Sequence, residues 1–166
     1  MKIFIIGFMG SGKTFLGKKL AENLNLPFFD LDQEITREQN CSINEIFRTE
    51  GEDTFRKIES HILLNWHKEG IIATGGGIVE EERNRKVFRA EENVTVWLNI
   101  TWSVILEHLK TSAQRPLFNK LTAEELYLLW QKRISLYKEC ADIEITDPDL
   151  NNLFNAVKKY ITRIDY

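Results

Sequence analysis

The sequence is poor in the residues that build disulfide frameworks and metal centres. Its 166 residues include only two cysteines and three histidines. The two cysteines, Cys41 and Cys140, are far apart and lack C-x-x-C spacing, so we expect free thiols in a reducing compartment. The histidines show no spacing typical of metal ligands, and we expect ordinary polar residues on helices at His61, His67 and His108.

Long apolar runs and a strong excess of one charge are also missing. No stretch approaches the roughly 18 apolar residues of a membrane span, and no basic and apolar leader opens the chain. The formal net charge of −3 gives no chain-wide reason to bind nucleic acid or an anionic membrane, although a small anionic ligand is compatible with it. We therefore expect a cytoplasmic protein that binds neither nucleic acid nor a membrane. Because repeats and linkers are also absent, we expect a single domain.

What the sequence does contain is a complete phosphate-binding pattern, G-x-x-x-x-G-K-[ST], at Gly7–Thr14. The glycines let backbone N–H groups surround phosphates, Lys13 can reach the outer phosphate oxygens, and the Thr14 hydroxyl can bind Mg²⁺. A strand-like run precedes the pattern and helical spacing follows it, whereas a plain glycine-rich turn is the alternative. We predict a nucleoside triphosphate site with contacts from Gly10, Ser11, Gly12, Lys13, Thr14 and Phe15.

Short apolar runs alternate with longer segments of helical spacing. Five runs are typical of strands: Lys2–Ile6, Pro27–Asp30, Ile71–Thr74, Val94–Leu98 and Asp142–Ile145. Several are almost wholly apolar, so helices should cover both sheet faces, which predicts a three-layer α/β/α fold with a parallel sheet. Helix starts are expected at Ser42, Thr101 and Thr122, and a last helix from Leu150 to about Thr162. Residues 110–122 break the periodicity, and we predict a lid there.

Two carboxylates, Asp30 and Asp32, lie at the end of the second predicted strand. Residues two apart share a face in extended backbone, so both could point into the crevice above the sheet where the phosphate loop opens. We predict that Asp30 orients Mg²⁺ and that Asp32 accepts a hydrogen bond from the hydroxyl of an acceptor substrate. The alternative is that one of them caps a helix beginning near Gln33.

Three arginines and a glycine run suit a small anionic acceptor. Arg56 could clamp a carboxylate with Glu59 holding it, although a surface ion pair is the alternative. The run Gly75-Gly76-Gly77 can bring backbone N–H groups close to a ligand. Arg115, in the predicted lid, could stabilise the charge of the transferred group.

Arg133 is the third arginine, and its surroundings are the most informative. It shares one predicted helix face with Leu126, Trp130 and Tyr137. A guanidinium on such an apolar stripe needs an anionic partner.

In this order, the motifs closely resemble those of the bacterial shikimate kinases. The shared series comprises Gly7–Thr14, Phe29–Asp32, Ser42–Phe47, Gly51-Glu52, Phe55–Glu59, Ala73–Gly77, Arg115-Pro116-Leu117 and Arg133–Asp142. The resemblance implies a monomer folded like the nucleoside monophosphate kinases, with a five-stranded parallel sheet, a lid and a substrate-binding helical region at about 31–62. It also implies Mg²⁺-dependent transfer of the ATP γ-phosphoryl group to the 3-hydroxyl of shikimate, on the route to chorismate and the aromatic amino acids.

The same resemblance assigns roles to individual residues. It implies Lys13 and Arg115 at the phosphates, Thr14 and Asp30 at the metal, and Asp32 at the shikimate hydroxyls and their proton. It further implies a substrate pocket formed by Arg56, Arg133, Gly76, Gly77, Phe47 and Phe55, although from sequence alone the two phenylalanines also fit plain core. The chain departs from the family pattern at Leu31 and Ser135, and it lacks the basic residue near 146–149 that often borders adenine.

Two other functions remain open on sequence grounds. One is another P-loop kinase of small molecules, such as a gluconate or nucleoside monophosphate kinase. The other is a non-catalytic nucleotide switch, although the [NT]-K-x-D and D-x-x-G motifs of G proteins are absent.

Overall fold

In the computed structural model, which describes residues 1–110, 121–147 and 149–164, strands and helices alternate. The strands are β1 (Lys2–Ile6), β2 (Phe28–Asp30), β3 (Gly70–Ala73), β4 (Asn93–Leu98) and β5 (Ile143–Ile145). The helices are α1 (Lys13–Leu24), α2 (Leu31–Gln39), α3 (Ile43–Thr49), α4 (Glu52–Leu64), α5 (Glu82–Phe88), α6 (Trp102–Lys110), α7 (Ala123–Cys140) and α8 (Leu150–Ile164), with a 3-10 helix at Ile78–Glu80. All five predicted strands are confirmed, and no strand end is displaced by more than about one residue.

The strands form a five-stranded parallel sheet in the order β2-β3-β1-β4-β5. β1 lies in the middle, with Ile5 paired to Ala73 of β3 and to Val96 of β4. The chain order reverses on either side of β1, which opens a crevice at the carboxyl ends of these strands. The segments that follow β1, β2 and β3 therefore meet at one edge of the sheet.

The three central strands, β3, β1 and β4, are buried on both faces of the sheet, as their mostly apolar sequences predict. Every residue of β4 is buried, and Phe4 of β1 is fully buried against Phe88 of α5, with ring centroids 5.3 Å apart. Leu20 of α1 and Val157 of α8 are also fully buried. This burial confirms the three-layer α/β/α prediction and gives the crevice a rigid floor.

The helix ends follow the sequence signals closely. Ser42 caps α3 by accepting a hydrogen bond from the Glu45 backbone N–H at 3.2 Å. Thr122 and Glu125 form a reciprocal capping box at the start of α7. The carbonyl oxygen of Thr101 accepts the hydrogen bond from Ile105 N–H that begins α6. These caps satisfy backbone donors that the first turn of a helix leaves unpaired.

The remaining sequence expectations have mixed outcomes. Both cysteines are free thiols, and burial raises the pKa of the Cys140 thiol to about 12. His61 and His108 lie on helices, but His67 lies in the loop before β3, so the helical prediction is wrong for that residue. Among the described residues, no helix has the length and apolar character needed to cross a membrane.

Candidate functional site

The phosphate loop connects the buried strand β1 to α1. Gly10 and Gly12 have φ angles of 81° and 87°, a region that favours glycine. Gly12 is the N-cap and Lys13 the first residue of α1, so the positive end of the helix dipole faces the loop. The local geometry is therefore that of an anion-binding loop, as the motif predicts.

Lys13 is buried and held inside this loop. Its Nζ donates hydrogen bonds of 2.8 Å to the carbonyl oxygens of Gly7 and Phe8. These bonds place an ammonium group at the centre of the loop, where phosphate oxygens can replace the carbonyl oxygens as acceptors.

Asp30 connects the phosphate loop to α2. The Thr14 hydroxyl donates to Asp30 Oδ2 at 2.7 Å, while Asp30 Oδ1 accepts from the Asp32 backbone N–H at 3.0 Å. Asp30 therefore caps α2, which begins at Leu31 rather than near Gln33. The capping alternative thus applies to Asp30, and Asp32 lies in the first turn of the helix instead of on extended backbone.

The Thr14 and Asp30 oxygens fit a magnesium ion. Both are hard donors beside the phosphate loop, and Mg²⁺ in kinases typically takes one or two protein oxygens together with phosphates and water. The described residues contain no cluster of three acidic, histidine or cysteine side chains, which is the pattern of a dedicated protein cage. The two oxygens of Thr14 and Asp30 suit a metal whose other ligands come from phosphates and water.

Arg56 lies at the far side of the crevice on α4. Its Nη1 donates to Glu59 Oε2 at 2.7 Å and its Nη2 to Glu52 Oε1 at 3.2 Å. The Arg56 side chain is only 12% exposed and that of Glu59 is fully buried. Burial alone would lower the pKa of Arg56, but the two carboxylates outweigh it and raise that pKa. Arg56 is thus a partly buried, permanently charged group and not a surface ion pair.

Arg133 on α7 is more deeply buried, with 1% of the residue exposed. Its Nε donates to Glu80 Oε1 at 3.0 Å, and its guanidinium carbon lies 5.6 Å from the centroid of the Phe8 ring. Its Nη1 has no hydrogen-bond partner among the described residues. Glu80 is thus an anionic partner of this arginine within the protein, and the role of Arg133 at an anionic acceptor stays a prediction.

The glycine run after β3 packs tightly between these charged groups. A Cβ atom on Gly76 would lie 3.0 Å from the Met9 backbone nitrogen, and one on Gly77 would lie 2.7 Å from Nη1 of Arg56. The Tyr137 hydroxyl donates to the Gly76 carbonyl oxygen, and burial raises the pKa of that phenol, so it stays protonated. The absence of side chains in the run lets its backbone touch both the phosphate loop and the arginine.

Phe47 and Phe55 lie both in the hydrophobic core and at the wall of the crevice. They are 8% and 4% exposed, and their ring centroids lie 4.8 Å apart. They can therefore exclude water from one wall of the site.

A cavity of about 740 Å³ collects most of the predicted site. The predicted residues that line it are Gly10, Gly12, Lys13, Thr14, Phe15, Asp30, Asp32, Phe47, Phe55, Arg56, Gly76, Gly77 and Arg133. Ser11 is not among them: it is 2% exposed, and its hydroxyl has no hydrogen-bond partner among the described residues. Arg115 and most of the predicted lid lie outside the described residues, and their roles stay predictions.

Sequence reasoning missed two contacts at this site. Glu80 pairs with Arg133 across 53 residues, and His108 Nδ1 lies 2.7 Å from the Gly10 carbonyl oxygen across 98 residues. The second contact joins the end of α6 to the phosphate loop. No local motif signals either one, because both depend on how distant elements pack.

The electrostatics of the cavity centre on Glu59. Burial raises the pKa of the Glu59 carboxyl to about 7, although the Arg56 guanidinium acts in the opposite direction. The negative charge of Asp32 contributes to the increase. Near neutral pH, Glu59 therefore exists in both the protonated and the ionised form.

We expect Glu59 to make the ligand-free protein lose stability as pH rises from 4.5 to 7. The folded-state pKa of about 7 lies above the ordinary 4.5. Its stabilising contribution is thus fully present below pH 4.5 and lost as pH rises through 7, by about 3 kcal/mol in total. Urea unfolding across this range measures the loss.

The matched variants for this measurement are Glu59→Gln and Glu38→Gln, the latter at an exposed position on α2. Glu59→Gln should remove the decline, whereas Glu38→Gln should retain it. An unchanged decline in Glu59→Gln would assign the pH dependence to other groups.

Comparison with known sequences agrees with this geometry. The family model described as shikimate kinase matches residues 9–164. A shikimate kinase of Dictyoglomus turgidum is 39% identical over 156 residues, which cover 89% of this chain and 90% of the relative.

Solved structures point the same way. A shikimate kinase from Acinetobacter baumannii in complex with shikimate superposes with a TM-score of 0.87 at 32% identity, covering 98% of this chain and 93% of that one. A deoxyadenosine kinase from M. mycoides with bound dATP covers 98% of this chain and 100% of its own, with a TM-score of 0.63 at 12% identity, and shares the fold alone. By the extent of the family match and the identity to its members, this chain belongs to the shikimate kinase family.

Proposed function

We propose that this protein transfers the γ-phosphoryl group of ATP to the 3-hydroxyl of shikimate, giving shikimate 3-phosphate and ADP. The observation that carries the proposal is one cavity that joins the phosphate loop around Lys13 to Asp32 and two arginines, Arg56 and Arg133. Phosphoryl transfer requires donor and acceptor to be aligned in one space. Membership of the shikimate kinase family supports the same reaction, and the relative solved with shikimate supports the acceptor.

The polar groups of the cavity match the chemistry of a compact hydroxy acid. Arg56 and Arg133 supply guanidinium groups that can hold a carboxylate, while Asp32 can accept hydrogen bonds from hydroxyl groups. The backbone of Gly76 and Gly77 can approach the polar groups of the ring. These contacts would fix the acceptor ring with its reactive hydroxyl towards the phosphate loop.

The chemical step then depends on position and charge. Asp32 takes up the hydroxyl proton as the new P–O bond forms, and Lys13 stabilises the oxygens of the group in transit. Thr14 and Asp30 would hold Mg²⁺, which would neutralise phosphate charge when bound with ATP. Phe47 and Phe55 limit water access on the acceptor side.

We also infer the setting in which the enzyme works. The two free thiols favour a reducing compartment and hence the cytoplasm. The net charge of −3 favours small-molecule substrates over nucleic acid or membrane surfaces. The family resemblance favours a monomer, which sedimentation analysis would test directly.

The test of the proposed function is coupled ADP release with ATP and Mg²⁺. The acceptors are shikimate, gluconate and a set of nucleoside monophosphates, each compared with no acceptor. Release that depends on shikimate supports the proposal. Release with another acceptor alone would redirect the pocket assignment, and no acceptor-dependent release from folded, ATP-binding protein would favour a non-catalytic role.

Replacing Arg133 should separate acceptor binding from nucleotide binding. We expect Arg133→Ala to raise the half-saturating shikimate concentration at least about tenfold, because a charge-assisted hydrogen bond to the carboxylate is lost. The half-saturating ATP concentration should change less than about twofold. Arg133→Lys keeps the charge but loses the planar fork, and it provides a second variant if the alanine protein is unstable.

The matched control is Lys132→Ala, which removes the neighbouring exposed cation on the same helix. It should leave both half-saturation values unchanged. Unchanged shikimate saturation in both Arg133 variants would remove Arg133 from the acceptor site.

A further inference from the structure

The buried Arg133 guanidinium interacts with Glu80, with the Phe8 ring and with Tyr137. Its Nε donates to Glu80 Oε1 at 3.0 Å, its carbon lies over the Phe8 ring, and its Nη1 is buried without a hydrogen-bond partner among the described residues. A guanidinium removed from water needs compensating partners, because an isolated buried charge is strongly unfavourable. Among the described residues, Glu80 is the only side chain that forms an ion pair with it.

Glu80 itself is held by its backbone. It ends the 3-10 helix that follows the glycine run, and its N–H donates to the Gly77 carbonyl oxygen at 3.0 Å. From α5, Arg85 Nη1 donates to the carbonyl oxygens of Val79 and Glu80 at 2.8 Å and 3.0 Å. The Glu80 carboxylate is therefore presented by a fixed segment.

The ion pair with Glu80 uses the Nε atom of the Arg133 guanidinium. The buried Nη1 has no hydrogen-bond partner among the described residues, and the Arg133 side chain lines the cavity. Bidentate recognition of a carboxylate requires the guanidinium fork to be held at one angle. A guanidinium that rotated about its long, flexible stem would lose this alignment.

We propose that Glu80 is a positioning residue for the acceptor: it fixes the Arg133 guanidinium by its Nε so that the terminal nitrogens meet the substrate carboxylate. This role rests on the proposed function, because it acts on the arginine assigned to the shikimate carboxylate. Glu80 itself does not need to touch the substrate.

The competing explanation is an ordinary structural ion pair. The Glu80 side chain is 27% exposed, and partly exposed ion pairs contribute little to stability. If the role were purely structural, replacing Glu80 would change the melting temperature and leave the half-saturating acceptor concentration unaltered. A positioning role would instead raise the half-saturating acceptor concentration.

The experiment compares Glu80→Ala, Glu80→Gln and a matched control, Glu81→Ala. Glu81 is the next residue, and its carboxylate pairs with Arg83 at the surface at 3.7 Å. We expect Glu80→Ala to raise the half-saturating shikimate concentration about tenfold, with ATP saturation within about twofold. Glu80→Gln should recover most of the loss, because its amide oxygen can still accept from Nε. Glu81→Ala should match the unmodified protein.

A double-mutant cycle with Arg133→Lys shows whether Glu80 acts through Arg133. We expect Glu80→Ala to have little further effect on shikimate saturation once Arg133 is lysine, since no Nε fork remains to be positioned. Melting temperatures of all variants check that each is folded.

Two results would overturn the role of Glu80. One is a half-saturating shikimate concentration in folded Glu80→Ala that stays within twofold of that of the unmodified protein. The other is an equal effect of Glu80→Ala with and without Arg133. If the unmodified protein lacks shikimate-dependent ADP release, the proposed function is wrong, and the role of Glu80 is wrong with it. If the unmodified protein shows this release and Glu80→Ala has the same half-saturating shikimate concentration, only the role of Glu80 is wrong.

Discussion

Replacing Asp32 with asparagine should lower turnover by about 10² to 10⁴-fold, the usual contribution of a group that takes up a proton in the transition state. Asparagine keeps the size of the side chain and can still accept hydrogen bonds from shikimate hydroxyls. It cannot carry away the proton that leaves the reacting hydroxyl. The half-saturating ATP concentration should stay within about threefold, because the phosphate loop lies on a different element. Steady-state ADP release and a separate ATP-binding titration measure both quantities.

Glu38→Gln is the matched control for this substitution. Glu38 lies on the same helix but is exposed, so its neutralisation should leave turnover unchanged. A turnover in Asp32→Asn within tenfold of the unmodified protein would show that Asp32 does not assist proton removal.

Replacing Lys13 with alanine should impair nucleotide binding and turnover together. We expect at least about a tenfold rise in half-saturating ATP and about 10² to 10³-fold lower turnover, as for loss of one preorganised donor to transition-state charge. The ammonium group also donates to the Gly7 and Phe8 carbonyl oxygens. Its removal therefore takes the charge from the phosphates and the internal support from the loop.

Lys18→Ala, an exposed lysine on the same helix, tests whether any loss of positive charge has this effect. It should leave both parameters unchanged. Small and equal losses of turnover in Lys13→Ala and Asp32→Asn would contradict the different roles given to the two residues.

The parts of this molecule that sequence predicts well are those with a local signal. The phosphate loop is a contiguous pattern, and the strands β1, β3 and β4 are short, mostly apolar runs whose burial on both sheet faces follows from composition. Ser42 and Thr122 mark helix starts through short-range capping spacings. Such features need only a few neighbouring residues to be recognised.

The parts that sequence predicts poorly are of two kinds. Some depend on packing between distant elements, and others are segments whose local sequence fits both a strand and a helix. The segment Asp30-Leu31-Asp32 can continue a strand or begin a helix, and the hydrogen bond from Asp32 N–H to Asp30 selects the helix. The stripe around Arg133 predicts that a partner exists but not that Glu80 provides it. That identity follows from the packing of α7 against the 3-10 helix, which no local pattern encodes.

The buried charges around the cavity have a consequence for evolution and engineering. Lys13, Asp30, Glu59 and Arg133 are each at most 9% exposed. Desolvation of an ion costs several kcal/mol before pairing offsets it, whereas whole domains are stable by only about 5–15 kcal/mol. Well-packed apolar replacements at these positions would raise the free energy of unfolding but abolish activity. The charged residues of the cavity therefore represent a trade-off between stability and activity. Stabilising substitutions for this enzyme belong on the outer helix faces, away from this cluster.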